Sequence, residues 1–443
     1  MRKPIIPRSL AALAVVGLLA SAAACSGGIG STYVPSGGDR STESGRALPG
    51  PVPTPTPDPN ATKPPAGHHT LSGRALPGEP TPTPTPRPAG LVTSVLCTAG
   101  VGTNCHVLKN SALSPLLDAV GLLIPGYHPS DLRSAYGLSP LPLLSGLLGG
   151  SGPAPKGPTI AIVVAFDDRN AERDLGVYRN RMGLAACTTA NGCFQKLNGD
   201  LKPGPYPAAN AGWTAEASLD LAMASAACPS CRIALVEAGD DDIDSLGAIN
   251  DKLTAPGAPF KPAAISNSYG VHESIENLAS AIHFIHPGTP IVASAGDDGT
   301  VEFPASLPSV ISVGGTTLSR QLLSSRGWSE IPWSSSGIGC SGFFPAGPWQ
   351  HSRCAKRGVA DISAVADLQP GIAVYNSADG GWVVYGGTSA GAPFVAGLFA
   401  AANDYPSSGI GAGPLYAKAS SLYALSANGA NISLGSPHGL GAF

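Results

Sequence analysis

The sharpest candidate for chemistry in this sequence is a serine within a run of small residues. Ser389 stands in GGTSAGAP, residues 386–393, where an apolar stretch predicts a helix over Thr388–Asn403. Free N–H groups and the dipole at a helix N-terminus stabilise an oxyanion, and small neighbours let a substrate backbone approach. Ser389 is therefore a candidate nucleophile, with an ordinary helix N-cap as the alternative.

The search for a base to activate Ser389 favours carboxylates over histidine. A serine nucleophile normally needs a His beside it, but none of the nine histidines stands in a His-Gly-Thr-His run at a helix start. Glu216 and Asp220 instead lie four positions apart on a predicted helix and share one face. Because two ionised carboxylates there would repel, a shared proton would raise one pKa and create an acid–base couple. The alternatives are a solvated acidic face, or a hydrolase that uses His272 or His286 as its base.

A third candidate, Asp297, follows a predicted strand in the run SAGDDG, residues 294–299. An Asp at a tight turn usually forms the turn itself. It could also be a carboxylic acid that is held protonated and donates a hydrogen bond to a developing oxyanion.

The elements that would position these residues alternate between apolar strands and helices. The predicted strands are Thr159–Phe166, Arg232–Glu237, Ala263–Tyr269, Pro290–Ala295 and Val310–Thr317. The predicted helices are Asp168–Met182, Trp213–Ala227, Ile243–Leu253, Ser274–Ile285 and Thr388–Asn403. This alternation predicts an α/β fold whose parallel sheet is covered on both faces. Sites in such sheets form at the carboxyl ends of the strands.

The three candidate motifs, in this order, resemble the sedolisin family of serine-carboxyl peptidases. Four further segments share the resemblance: residues 127–137, 187–193, 266–270 and 361–367. The resemblance implies a subtilisin-like three-layer sandwich with a central, mostly parallel sheet. It also implies that Ser389 is the nucleophile, Glu216 the general base, Asp220 its orienting partner and Asp297 the oxyanion donor.

Three features depart from the family pattern. Members usually carry a long globular propeptide, whereas residues 93–126 here allow only a short pro-segment or N-terminal extension before a peptidase domain over 127–443. Asp298 replaces a Ser that is common in the family. The family's C-terminal calcium site would fall near Asn431-Ile432, with no acidic residue after Asp404. Since calcium requires several oxygen ligands including carboxylates, we expect no metal or other cofactor. The acidic run at 240–244 predicts the solvated start of a helix rather than a metal site.

The N-terminus predicts export. Residues 1–25 combine a basic start, an apolar run and small residues before Cys25, which is typical of a signal peptide with a lipobox-like end. Ordinary secretion after cleavage at an Ala-x-Ala site is the alternative to lipidation of Cys25. Residues 26–92, rich in Pro and Thr, predict an extended stalk that cannot bury a core.

Cysteine usage fits an oxidising compartment. Cys25 is the odd one of nine, and the other eight fall in local pairs. The predicted disulfides are Cys97–Cys105, Cys187–Cys193, Cys228–Cys231 and Cys340–Cys354. For the third pair, a redox or zinc motif is the alternative.

These observations predict an extracytoplasmic serine-type endopeptidase, tethered to a bacterial membrane by a lipidated Cys25 or secreted, with an acidic pH optimum. Its partners would be polypeptide substrates, and we expect a monomer that touches the membrane only through its lipid anchor. A net charge of -3 and the lack of a basic block argue against nucleic acid. The alternative is a catalytically inactive subtilisin-like lipoprotein that acts as a binding or scaffold protein.

Overall fold

The computed structural model describes residues 93–97, 102–111, 124–141, 153–324, 326–352 and 354–418. All of them lie in one unit, Thr83–Phe443. The predicted signal peptide with Cys25, the predicted stalk and Asn431-Ile432 lie outside the described residues. Within the described residues, no helix is both long enough and apolar enough to cross a membrane.

Seventeen strands can be defined in the described residues. In chain order they are β1 Thr93–Val95, β2 Asn104–Cys105, β3 Leu108–Asn110, β4 Thr159–Ala165, β5 Phe194–Asn198, β6 Arg232–Ala238, β7 Pro262–Asn267, β8 Tyr269–His272, β9 Ile291–Ser294, β10 Glu302–Phe303, β11 Ile311–Arg320, β12 Trp328–Pro332, β13 Gly339–Cys340, β14 Gly358–Val359, β15 Ile362–Val365, β16 Ile372–Asn376 and β17 Gly381–Gly386.

The α-helices of the described residues are fewer. They are α1 Pro129–Ala135, α2 Ala171–Arg181, α3 Ala211–Ala227, α4 Ile243–Thr254, α5 Asn277–Ser280, α6 Gly391–Ala402 and α7 Gly413–Ala417. Short 3-10 turns cover Ala281–Phe284, Ser377–Asp379 and Thr388–Ala390.

The central sheet has the strand order β12-β11-β9-β7-β4-β6-β5, and β15 also pairs with β11. Every pairing in it is parallel except that of β11 with β12. All seven residues of β4 are buried, as expected for a strand covered on both faces. The prediction of an α/β fold with a mostly parallel central sheet is therefore confirmed.

Helices α3 and α6 pack against each other beside this sheet. A Cβ added at Gly397 of α6 would lie 2.6 Å from the Cβ of Ala227, so the close approach depends on small residues. The side chain of Asn210 caps α3 by accepting from the N–H groups of Gly212 and Trp213. Nearly every residue of α3 is buried, and this excludes a solvated acidic face.

The chain over 93–110 adds strands to two smaller sheets, although its sequence predicts no firm structure. β2 pairs with β8 in the sheet β10-β8-β2, and β3 pairs with both β1 and β17 in the sheet β1-β3-β17-β16. This segment therefore bridges the two sheets that flank the carboxyl ends of the central strands.

The prediction of one helix over Ser274–Ile285 is confirmed only in part. The structure has only α5 and a 3-10 turn there, and Ile275, Leu278 and Ile282 are exposed. Helices gain most of their stability from packing an apolar face, and these residues find no such partner within the described chain.

The eight cysteines after Cys25 form four disulfides in the structure. They join Cys97 to Cys105, Cys187 to Cys193, Cys228 to Cys231 and Cys340 to Cys354. Each closes a short loop, and the longest separation is 14 residues.

A buried ion pair anchors the chain before β15. Arg357 and Asp361 are both about 1% exposed, and Arg357 Nη1 donates to Asp361 Oδ1 at 2.7 Å.

We expect Asp361→Ala to lower the free energy of unfolding by about 3–5 kcal/mol, because it leaves the Arg357 charge buried and unpaired. Urea unfolding measures the loss. Asp404→Asn, which breaks the exposed pair with Lys418, is the control and should change stability little. Equal effects of the two changes would contradict the prediction.

Candidate active site

The turn between β17 and α6 places Ser389. Gly387 has φ 102°, a conformation that favours glycine, and the 3-10 turn Thr388–Ala390 then leads into α6. A Cβ at Gly387 would lie 2.2 Å from the carbonyl oxygen of His106 and 2.4 Å from Asp297 Oδ2. Ser389 is fully buried, and its hydroxyl makes a long contact of 3.5 Å to the carbonyl oxygen of Ser268.

Helix α3 brings Glu216 and Asp220 to Ser389. Both carboxyl groups are fully buried, and Ser268 Oγ donates to Asp220 Oδ1 at 2.8 Å. Neither oxygen of Glu216 makes a hydrogen bond of good geometry. The Ser389 hydroxyl and the Asp220 carboxyl are nevertheless close enough to change the pKa of Glu216. The hydroxyl, the two carboxyl groups and Ser268 therefore form one buried polar cluster.

Burial dominates the acid–base properties of this pair. It raises the pKa of Glu216 well above the usual range; the charge of Asp220 adds to the effect, and the Ser389 hydroxyl opposes it. Burial also raises the pKa of Asp220 well above its usual range, against a hydrogen bond from Ser268. The sequence suggested repulsion between the two acids as the cause, whereas loss of water is the larger effect. Such a pair retains a proton to a higher pH than two solvated carboxyl groups would.

Asp297 follows β9 and contacts Thr388, the residue before Ser389. Its Oδ1 accepts hydrogen bonds from the Thr388 N–H at 2.7 Å and from Thr388 Oγ1 at 2.8 Å. Its Oδ2 is buried and lacks a hydrogen bond. Burial raises the pKa of Asp297 to about 6, although the charge of His106 and the bonds from Thr388 oppose the rise. Below this pH, Oδ2 can carry a proton and donate it in a hydrogen bond.

The chain's own N-terminal segment passes through the cleft between these groups. The N–H of His106 donates to the Ser268 carbonyl at 3.4 Å, and the Ser389 N–H donates to the His106 carbonyl at 3.3 Å. Before His106, Asn104 pairs with Gly270 of β8; after it, Leu108 pairs with Gly386 of β17. An extended peptide therefore lies across the cleft with the carbonyl of His106 against Ser389 and Asp297.

Sequence reasoning missed His106 and Glu302 as members of this site, and it included Ser268 only as part of the segment 266–270. His106 Nε2 lies 2.6 Å from Glu302 Oε2, and both side chains are buried. The only early signal was the cysteine pair that ends at Cys105, because no local spacing connects residue 106 with residues beyond 260.

The other residues considered as candidates lie elsewhere. His272 is exposed beside Thr300 and Asp298. His286 contacts Thr254 and Asp251. A histidine base at either position therefore receives no support. Asp242 caps α4 by accepting from the N–H groups of Asp244 and Ser245, as expected for a helix start.

The described residues offer little to a metal ion. One group, formed by His272, Asp298 and Glu302, brings three ligand atoms together. Glu302 is already paired with His106, so this group does not form a cation site. The donors expected near Asn431 include no carboxylate and fit calcium poorly.

Comparison with known proteins gives consistent matches. The model of the Subtilase family, Peptidase_S8, matches residues 208–422. Kumamolisin from Bacillus sp. (strain MN-32) is 32% identical over an alignment of 223 positions that covers 42% of this chain and 39% of kumamolisin. A sedolisin from Pseudomonas, a serine-carboxyl proteinase solved with two molecules of pseudo-iodotyrostatin, aligns with a TM-score of 0.51 at 21% identity. That alignment covers 68% of this chain and 86% of the sedolisin.

These matches first define the class: the chain has the subtilisin-like fold. Within that class, the similarity to kumamolisin supports the resemblance to sedolisin-type peptidases that the motifs of the chain predicted. The chain spans about two fifths of the length of the curated relative that it matches.

The raised pKa of Asp297 makes stability depend on pH. The folded protein binds this proton more tightly than the unfolded chain, in which the pKa is 3.8. The resulting stabilisation is complete below pH 3.8 and is lost as the pH rises through about 6. A shift of about two units corresponds to roughly 3 kcal/mol.

We therefore expect Asp297→Asn to weaken the pH dependence of stability. Between about pH 4 and pH 7, the wild type should lose roughly 3 kcal/mol more unfolding free energy than the variant, because an amide does not ionise. Urea unfolding at several pH values measures both proteins. Acids that do not interact with Asp297 titrate in both proteins and cancel in the difference. Parallel curves for the two proteins would contradict the assignment.

Proposed function

We propose that the protein is a serine-type endopeptidase that acts outside the cytoplasm through Ser389, Glu216 and Asp220, with Asp297 as an oxyanion donor. One observation carries the proposal: the Ser389 N–H donates to a peptide carbonyl, that of His106, and a Cβ at Gly387 would meet both this carbonyl oxygen and the unbonded Oδ2 of Asp297. The buried carboxyl group of Glu216 interacts with the Ser389 hydroxyl and with Asp220. Tethering through a lipidated Cys25 belongs to the same proposal and rests on the sequence alone.

Acylation begins at the hydroxyl of Ser389. Its oxygen forms a bond to the carbonyl carbon of the substrate while its proton passes to Glu216, which accepts it in the state of the pair where the shared proton lies on Asp220. Asp220 holds Glu216 in place and shares its charge. The Ser389 N–H and the protonated Asp297 donate hydrogen bonds to the oxyanion. When the C–N bond breaks, the leaving amine takes the proton from Glu216.

Deacylation repeats these steps with water. The water oxygen attacks the acyl carbon, and Glu216 accepts a proton from it. The bond to Ser389 then breaks, Glu216 returns its proton to the serine oxygen, and the acid product leaves. The net reaction consumes one water for each peptide bond and leaves the enzyme unchanged.

Removing the base tests this assignment. We expect Glu216→Gln to lower kcat on casein near pH 4 by at least about 10³-fold, because the amide cannot accept the proton of Ser389. Ser389→Ala should lose a similar amount, and the double variant should lose little more, because the two residues act as a unit. Circular dichroism checks that each variant folds. Full activity of Glu216→Gln would exclude Glu216 as the base.

The oxyanion donor sets the upper pH limit. Asp297 donates only while it is protonated, so activity should fall about tenfold per unit above pH 6. In Asp297→Asn the amide N–H₂ remains a donor at every pH. Its maximal rate should be lower, but the decline near pH 6 should disappear from the rate profile. A wild-type rate that stays constant up to pH 8 would contradict this role.

The inactive-lipoprotein alternative has one observation in its favour, since the chain's own segment occupies the cleft. The casein assay decides between the two functions. Hydrolysis that Ser389→Ala abolishes supports the peptidase. Absence of hydrolysis in folded protein, with or without residues 93–126, supports the binding protein.

A further inference from the structure

The peptide that crosses the cleft shows how a substrate would lie there. It pairs antiparallel with β8 on the N-terminal side of His106 and with β17 on the C-terminal side. The carbonyl between these two pairings, that of His106, accepts from the Ser389 N–H. The bond in register with Ser389 is therefore His106–Val107. The side chain of His106 occupies the subsite immediately before the scissile bond.

That subsite contacts both nitrogens of the imidazole ring. Nδ1 lies 2.7 Å from Ser294 Oγ, and Nε2 lies 2.6 Å from Glu302 Oε2. Ser294 is fully buried and Glu302 is 4% exposed. An imidazolium can donate to both oxygens at once. Two specific polar partners thus converge on one ring.

The walls of the pocket restrict its size. A Cβ at Gly270 would lie 2.4 Å from Glu302 Oε2 and 2.9 Å from the ring carbon Cε1 of His106. A Cβ at Gly296 would lie 2.9 Å from the carboxyl carbon of Glu302. Two glycines therefore leave space for the ring and its carboxylate together. His106 itself is only 3% exposed, so the ring fills the pocket.

We propose that Glu302 and Ser294 form a specificity pocket that selects histidine on the N-terminal side of the scissile bond of polypeptide substrates. This inference rests on the proposed function. An apolar side chain would leave the Glu302 carboxylate buried and unpaired, which is costly. A lysine or arginine is longer than the ring that already fills the pocket.

The charge state of His106 agrees with this pocket. Burial alone would lower the pKa of its imidazole, but the charge of Glu302 and the hydrogen bond to it raise the pKa, and Asp297 and Asp298 add to the rise. The net effect is a raised pKa. At the acidic pH where Asp297 is protonated, a histidine in the pocket therefore carries its charge.

The test uses the full chain and fluorogenic peptides that differ only at the residue before the cleaved bond: His, Gln, Leu or Lys. The chain's own segment competes equally with all of them, so the ratios of kcat/KM report the pocket. We expect the His peptide to exceed each of the others by at least about tenfold, because a site built to hydrogen-bond one group rejects analogues that lack it.

Variants of the pocket should remove this preference. In Glu302→Gln, the advantage of His over Gln should fall to within about threefold. Ser294→Ala, the milder change, should reduce it partially. Glu276→Gln is the matched control, because Glu276 is an exposed carboxylate that pairs with Ser274 and not with His106, and the preference should persist. Mass spectrometry of the products confirms that cleavage follows the varied residue.

The outcomes separate the two proposals. If the wild type cleaves peptides but prefers Leu or Lys, or shows no preference, the pocket assignment fails while the peptidase stands. An unchanged preference in folded Glu302→Gln would overturn the assignment as well. If the folded wild type cleaves no peptide and no casein, the proposed function fails and the specificity proposal fails with it.

Discussion

Two carboxyl groups lie four residues apart on a helix that is buried along almost its whole length, and the candidate site depends on how the protein accommodates them. Full ionisation of Glu216 and Asp220 would bury two like charges beside each other, at a cost of several kcal/mol. The structure limits this cost by raising both pKa values and by placing the hydroxyls of Ser268 and Ser389 against the pair. The stable state therefore contains a proton that is available for transfer to or from a neighbour.

The parallel sheet supplies the positions of the remaining groups. Ser268 follows the last residue of β7, and Asp297 lies three residues after the end of β9. Because these two strands are parallel neighbours, they end at the same edge of the sheet. The turn after β17 brings Ser389 to that edge through the positive φ of Gly387. These elements belong to one packed core, which fixes the side chains of the site relative to one another. Burial removes water from its acidic side chains and raises their pKa values. Both the stability of the protein and the protonation of Asp297, the proposed oxyanion donor, therefore depend on pH.

Much of this arrangement could be predicted because its signals are local. The spacing of Glu216 and Asp220 places them on one helix face, and the apolar runs at β4, β6 and β9 predict buried parallel strands. The bounds of α3 and β4 differ from prediction by two residues or fewer. The helix expected over 274–285 is shorter in the structure and continues as a 3-10 turn, because the periodicity of its apolar residues carries no information about whether a partner surface exists.

The role of residues 104–110 could not be predicted, for a different physical reason. β2 and β3 are short strands whose partners, β8 and β17, lie far along the chain. A two-residue strand has no periodicity to detect, and the contact of His106 with Glu302 depends on the completed fold. Burial of Glu302 likewise follows from the glycines around it rather than from its own neighbours in sequence.

The position of the first disulfide has a consequence for the peptide in the cleft. Cys97 and Cys105 both precede His106, so their bond does not cross the linkage between His106 and Val107. If that linkage were broken, the described part of the upstream piece would be held by noncovalent contacts, among them strand pairing, the hydrogen bond from Thr103 to Asp241 and the ion pair of His106. Such contacts are noncovalent, so the upstream piece could leave the cleft and bind there again. The rate of its dissociation would rise with temperature.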